Sequence, residues 1–272
     1  MAPAGMDQDR LRRIRNFQST DWYPAVVIRP LSILVMLVIG DWKFVTPNGL
    51  TTVANLFKLA SAGIIAFVYV PGDLSHVTIW AVVLLQLGLL FDHLDGTMAR
   101  YRRAFTKLGS FYDKVSDLVT WFLIVLAIGW AAYRDSEDAR LLVLAVGSSF
   151  ALDVMGYMKW LATAEGERLR WFEARADASV IAKRTAPIII APPPERTRRE
   201  WLRWFARSWL QIVRIEEMDL PFWVGLGLLI GRLELLIGFL FVTQTTIMLS
   251  MMFRRGREMV RADRRMRDLG DA

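Results

Sequence analysis

The sequence predicts an all-α, polytopic integral membrane protein. Six transmembrane helices are expected, plus an N-terminal juxtamembrane helix and an interfacial amphipathic helix. Three observations predict this. The 272-residue chain is 54% hydrophobic with mean hydropathy +0.31, and several of its apolar runs approach the roughly 20 residues needed to cross a bilayer. Its Arg residues cluster between those runs, as topology signals do. Four aspartates at fixed spacing have flanks apolar enough to be transmembrane, where carboxylates are costly and usually functional.

Residues 1–19 are polar and basic and read as a cytoplasmic tail; the apolar run that follows carries no small-residue cleavage site, so no removable signal peptide is expected. Residues 20–44 are apolar but interrupted by Pro24, Arg29, Pro30 and Asp41, which suits a bent, interfacial or partly inserted helix. Spans are expected at 50–70, 77–97, 109–133, 140–160, 219–233 and 234–253, within a membrane domain running over 20–255. Residues 256–272 read as a second basic tail.

An even number of spans puts both termini on one side. The loop Pro71–Val77 has no Lys or Arg, whereas Arg100, Arg102, Arg103, Lys107, the stretch 168–214 and Arg254 to Arg267 fall on the opposite side. The positive-inside rule makes that side cytoplasmic. The expected location is a cell (inner) membrane, with the aspartate cluster facing the cytoplasm. The net charge of +7 and pI near 10 follow from these topology signals, and no nucleic-acid partner is expected. The absence of Cys excludes disulfides and thiolate metal sites.

Residues 162–217 form the long non-spanning segment. Pro192-Pro193-Pro194 stops a helix and stiffens the chain. Over 196–214, Arg196, Arg203, Arg207 and Arg214 share one helical face, and Trp201, Trp204, Phe205, Trp209 and Ile212 the other. Such a helix lies in the interface with its Arg residues towards lipid headgroups, or lends one or two of them to a substrate phosphate.

The aspartates form the pattern D-x2-D-G-x2-A-R-x8-G-x3-D-x3-D from Asp92 to Asp117. Asp92, Asp95 and Ala99 share one helix face, and Gly109, Asp113 and Asp117 share another. Two antiparallel helices joined through Arg100–Leu108 would point the four carboxylates at a common point. Hard oxygen ligands suit two Mg²⁺ or Mn²⁺ ions, and such a pair clamps a phosphate for in-line displacement. Small residues at Gly96, Ala99 and Gly109 allow a substrate to approach the backbone, and Arg100 offers a fork to phosphate. A metal-free ion-pair network fits poorly, because Arg100 and Lys114 do not balance four acids.

This pattern, with Pro47-Asn48-Gly49-Leu50-Thr51 ahead of the first core helix, resembles the CDP-alcohol phosphotransferases (CDP-alcohol phosphatidyltransferases), membrane enzymes of phospholipid synthesis with a six-helix core. The resemblance implies that Asp92, Asp95, Asp113 and Asp117 are metal ligands, and that Asp117 is also the general base. It implies a CDP site at Gly96, Ala99, Arg100 and Gly109, approached by Asn48 and Thr51, whose alternative role is helix capping. The implied partners are a CDP-linked lipid donor, CDP-diacylglycerol ahead of a soluble CDP-alcohol, and an acceptor alcohol; CMP is the leaving product. Arg29-Pro30-Leu31-Ser32 is similar to members that use inositol phosphates.

Acceptor-side candidates are Lys114, between two of the acids, and Asp153 and Lys159 in the fourth span. His93 sits at a variable position of the motif and reads as a bystander. Gly227 and Gly231 suit close helix packing, with a homodimer interface as one use. The competing classes are an intramembrane prenyltransferase, which lacks the D-G-x2-A-R element, and a divalent-cation transporter, which needs acids along several spans.

Overall fold

The computed structural model describes residues 8–15, 21–176, 197, 199–200 and 217–270. Among these the regular structure is helical: α1 Gln8–Arg15, α2 Arg29–Ile39, α3 Pro47–Phe67, α4 His76–Arg102, α5 Lys107–Ser136, α6 Arg140–Ala176, α7 Leu220–Ile230 and α8 Leu233–Gly270. Five of them, α3 to α6 and α8, are long and apolar enough to cross a membrane. The expected amphipathic helix over 196–214 lies outside the described residues, apart from Thr197, Arg199 and Glu200.

Local chemistry sets the helix ends that matter for the site. Thr46 caps α3 by accepting from the Gly49 N–H at 3.1 Å, and Pro47 follows at the first helical position, where a missing N–H costs nothing. Thr106 caps α5 in the same way, accepting from the Gly109 N–H at 2.9 Å. The T-x-x-G spacing thus opens both helices. Arg103 takes the left-handed conformation (φ 53°) and ends α4, so the α4–α5 turn is only Arg103–Thr106.

Apolar burial gives helices in lipid little drive to associate, so close packing and interhelical hydrogen bonds carry more of the burden. A Cβ on Gly129 of α5 would sit 2.5 Å from the Ala145 Cβ of α6, and one on Gly88 of α4 2.8 Å from Lys58 Cγ of α3. Ser61 of α3 donates to Ala81 O of α4 at 2.7 Å. Around these contacts α3 to α8 share one buried cluster that includes Ile65, Leu85, Ile124, Ile128, Val224 and Ile237.

The fifth expected span is shorter than its sequence suggested. α7 has 11 residues and ends at Gly231, which adopts φ 73° against Gly72 of the α3–α4 loop. At 1.5 Å per residue α7 is about 17 Å long, roughly half the hydrocarbon thickness. α2, entered through a π-helical turn at Pro24–Ile28, supplies the remaining cover. Met36 of α2 packs on Leu94 and Met98 of α4, and Ile28 on Leu89, whereas Gly225 of α7 faces Val82 and Gln86. The two short helices therefore cover successive stretches of α4. They meet where Tyr23 N donates to Asp219 Oδ1 at 3.2 Å and Tyr23 OH to Gln86 Oε1 at 2.6 Å.

Two stretches read as tails are helical. α1 docks along α2 with Ile14 fully buried, and Arg10 pairs with Asp41 at 2.7 Å. α8 continues unbroken through 256–270. Gly227 and Gly231 pack inside the chain, Gly227 against Leu236 and Gly231 against Gly72, so the homodimer reading of these glycines finds no support.

Candidate active site

Three helices bring the site together. α4 carries Asp92 and Asp95 one turn apart, and α5 carries Gly109, Asp113 and Asp117 at four-residue spacing. α3 contributes Thr51, Asn55 and Lys58, the i, i+4, i+7 stripe of one face. Arg102, a topology signal in the sequence, locks this arrangement. Its guanidinium donates to Gly40 O (2.9 Å), Trp42 O (2.8 Å) and Val45 O (2.6 Å), tying the approach to α3 onto the end of α4.

One oxygen each from Asp92, Asp95 and Asp113 lie within 4.8 Å of one another. Asp92 and Asp95 are buried and Asp113 half-buried. Three converging carboxylates form a hard, anionic donor set that fits Mg²⁺ or Mn²⁺. Thr51 donates to Asp95 Oδ2 and fixes that carboxylate. The fourth aspartate is held differently. Lys58, 1% exposed, places Nζ 2.6 Å from Asp117 Oδ1 and 3.0 Å from Asp92 Oδ1. An ammonium therefore stands between the fourth acid and Asp92.

Beside the carboxylates opens a cavity of about 240 Å³. All six residues expected at a nucleotide site line it: Asn48, Thr51, Gly96, Ala99, Arg100 and Gly109, with Asp95 and Asp113 in the wall. A Cβ on Gly109 would come within 2.8 Å of Thr106 Oγ1 and 2.9 Å of Asn48 Oδ1, so the wall closes only around glycine. The capping alternative for Asn48 and Thr51 gives way to Thr46, whose hydroxyl caps α3.

With this geometry in place the relatives can be compared. The sequence profile of CDP-alcohol phosphatidyltransferases matches residues 44–191, more than half of the chain. The chain belongs to the CDP-alcohol phosphatidyltransferase family. It is 32% identical over 145 residues to the phosphatidylinositol phosphate synthase of Corynebacterium glutamicum, an alignment covering 52% of this chain and 59% of that protein. It is 36% identical over 110 residues to an uncharacterized protein of Aquifex aeolicus, covering 40% and 52%. The chain thus spans between half and three-fifths of the curated relatives it matches.

In this family member the acceptor candidates lie apart from the cavity. Lys114 is exposed, and neither Lys114, Asp153 nor Lys159 lines it. α6 runs antiparallel to α5 with Ala145 opposite Gly129, so equal rise carries Asp153 to about the level of Trp121 and Lys159 to about the level of Val115. His93 is buried with Nδ1 3.2 Å from Leu89 O, one turn back on its own helix. Arg29 donates to Arg15 O and ties α2 to α1, while Ser32 donates to Ile28 O one turn back on its own helical stretch.

Lys58 and Asn55 are the residues that sequence reading missed. Their signal was available: two polar residues in an apolar span, four and seven positions after Thr51, on the face that carries it. Asn55 is 8% exposed, and its Oδ1 has no hydrogen-bond partner among the described residues.

Proposed function

We propose that this chain transfers a phosphatidyl group, a substituted phosphate, from CDP-diacylglycerol to an alcohol acceptor, with release of CMP. One observation carries the reading. Asn48 and Thr51 on α3, Gly96, Ala99 and Arg100 on α4, and Gly109 on α5 line a single cavity beside three converging carboxylates.

Asp92, Asp95 and Asp113 would hold a divalent ion, Mg²⁺ or Mn²⁺; the family motif implies a second, shared by Asp117. When bound, such an ion neutralises the donor pyrophosphate and stabilises the charge that develops on the departing phosphate. The chain's own residues do the rest. Gly96 and Gly109 leave room for the pyrophosphate against the backbone, and Arg100 receives phosphate oxygens in its guanidinium fork. Asp117, oriented by Lys58, takes the proton of the acceptor hydroxyl. The acceptor oxygen attacks the phosphorus distal to cytidine, the bond from that phosphorus to the bridging oxygen breaks, and CMP carries away the bridging oxygen. Holding donor and acceptor in line supplies much of the acceleration.

The name of the Corynebacterium relative favours a phosphorylated polyol, an inositol phosphate, as acceptor. Lys114, Asp153 and Lys159 remain the acceptor-side candidates, at the level where α6 passes the α5 acids. The site faces the cytoplasm of a cell (inner) membrane and both termini share that side. This orientation rests on the distribution of Arg and Lys, and on α8 starting beside the Lys- and Arg-free α3–α4 loop and ending in a basic stretch.

The test is CMP release by purified protein in detergent with Mg²⁺ and CDP-diacylglycerol. Inositol phosphate, glycerol 3-phosphate, serine and inositol are offered in turn, beside Asp117→Asn. CMP formed with one acceptor and lost in the variant establishes the reaction and names the acceptor. CMP formed only from a soluble CDP-alcohol reassigns the donor, and none from either defeats the catalytic reading.

A further inference from the structure

The two-ion arrangement implied by the family motif leaves Lys58 unexplained. Its ammonium bridges Asp92 Oδ1 and Asp117 Oδ1 at 3.0 and 2.6 Å, where an ion shared by those two acids would have to sit. The side chain has little freedom to leave. Its Cγ lies 2.8 Å from the position of a Cβ on Gly88, a gap that only glycine provides, and Nζ stands 5.6 Å from the centre of the Trp121 ring. Two ammonium protons serve the carboxylates and the positive charge also faces the aromatic surface. The lysine is 1% exposed, so water offers its charge no alternative partner.

Charge points the same way. Four carboxylates and one ammonium leave an excess of three negative charges, which still demands a divalent ion at Asp92, Asp95 and Asp113. A second ion between Asp92 and Asp117 would meet the ammonium there and be repelled by it. We propose that Lys58 is a built-in cation standing in the second metal position, so that this chain binds one divalent ion where the motif implies two. This rests on the metal-dependent reading given above. In that role Lys58 positions Asp117 and supplies a single fixed positive charge.

The experiment counts ions. Full-length protein in detergent is titrated with Mn²⁺ alone, and free Mn²⁺ is followed by its electron paramagnetic resonance signal. Wild type is expected to bind one Mn²⁺ per chain. Lys58→Met, which keeps the stem and removes the charge, is expected to bind two and to show the spin-coupled signal of a close manganese pair. Lys58→Gln serves the same purpose should the methionine variant not fold. Asp113→Asn is expected to weaken the wild-type site. Two Mn²⁺ in wild type, or one in both wild type and the Lys58 variants, overturns the role of Lys58 while leaving metal dependence intact. No Mn²⁺ in any form overturns the metal reading itself, and this proposal with it.

Discussion

Thr51 of α3 donates its hydroxyl proton to Asp95 Oδ2 of α4, which ties the P-N-G-L-T entry segment to the aspartate motif. The same hydroxyl lies 3.2 Å from Pro47 O, one turn back. Partners that orient a metal-binding carboxylate change ion affinity by about 10–100-fold when removed. Thr51→Val, which keeps the shape and loses the donor, is therefore expected to raise the Mn²⁺ dissociation constant by that factor. Thr51→Ser should stay near wild type. Mn²⁺ titration of the three proteins checks this, and equal affinities would remove Thr51 from the site's support.

Gly109 sets the width of the cavity. The added methyl of Gly109→Ala meets Thr106 Oγ1 and Asn48 Oδ1 at under 3 Å, and overpacking of this kind costs about 1–3 kcal/mol. The strain falls on the α5 cap and on Asn48 of the cavity wall together. We expect kcat/KM for the CDP-linked donor to fall by at least about tenfold, each tenfold being about 1.4 kcal/mol. Steady-state CMP release against donor concentration decides it; an unchanged kcat/KM would take Gly109 out of the donor site.

The motif made much of this site legible in the sequence, because helical periods fix which side chains share a face. Asp92 with Asp95, and Gly109 with Asp113, needed only the three- and four-residue spacing. Lys58 was not legible in the same way. Its spacing from Thr51 marks its face, but only the packing of α3 against both α4 and α5 brings that face to Asp92 and Asp117. The fold divides similarly. Long apolar runs announced α3 to α6 and α8. The shortness of α7 depends on Gly231 reversing the chain against Gly72, and its sharing of α4 with α2 depends on tertiary contacts that no local period encodes.

The exposed pair at the start of α6 offers a contrast. Arg140 donates to both carboxylate oxygens of Asp138, at 2.9 and 3.1 Å from Nε, and these hydrogen bonds hold the Asp138 carboxyl below its usual range. A depressed value means that any contribution to stability is present at neutral pH and is lost as pH falls through it. Asp138 and Arg140 are solvent-screened, so that contribution is small. Thermal melts of wild type and Asp138→Asn in detergent are expected to superimpose from pH 5 to pH 8. A distinct melting temperature at pH 7 would mean that this loop carries more than an exposed ion pair.

Gln86 holds the junction of the two short helices. It accepts from Tyr23 OH at 2.6 Å and donates to Pro221 O at 2.8 Å. Tyr23 belongs to a buried cluster with Ile28 and Leu89, on which Phe222, next to Pro221, packs. Gln86→Leu removes a donor and an acceptor at once: it leaves the Tyr23 hydroxyl unpaired, at about 1–3 kcal/mol where water is excluded, and takes from Pro221 O the side-chain donor it has beside its helical partner. Tyr23→Phe removes one hydrogen bond and leaves only Gln86 Oε1 unmatched. The expected order of melting temperatures is wild type, then Tyr23→Phe, then Gln86→Leu, with Mn²⁺ stoichiometry unaltered, because Gln86 lies almost two helical turns from Asp92 on α4. Melting curves and Mn²⁺ titration on the same preparations test both halves. A Gln86→Leu protein as stable as Tyr23→Phe would mean that apolar contact, rather than this polar bridge, joins α2 and α7 on α4.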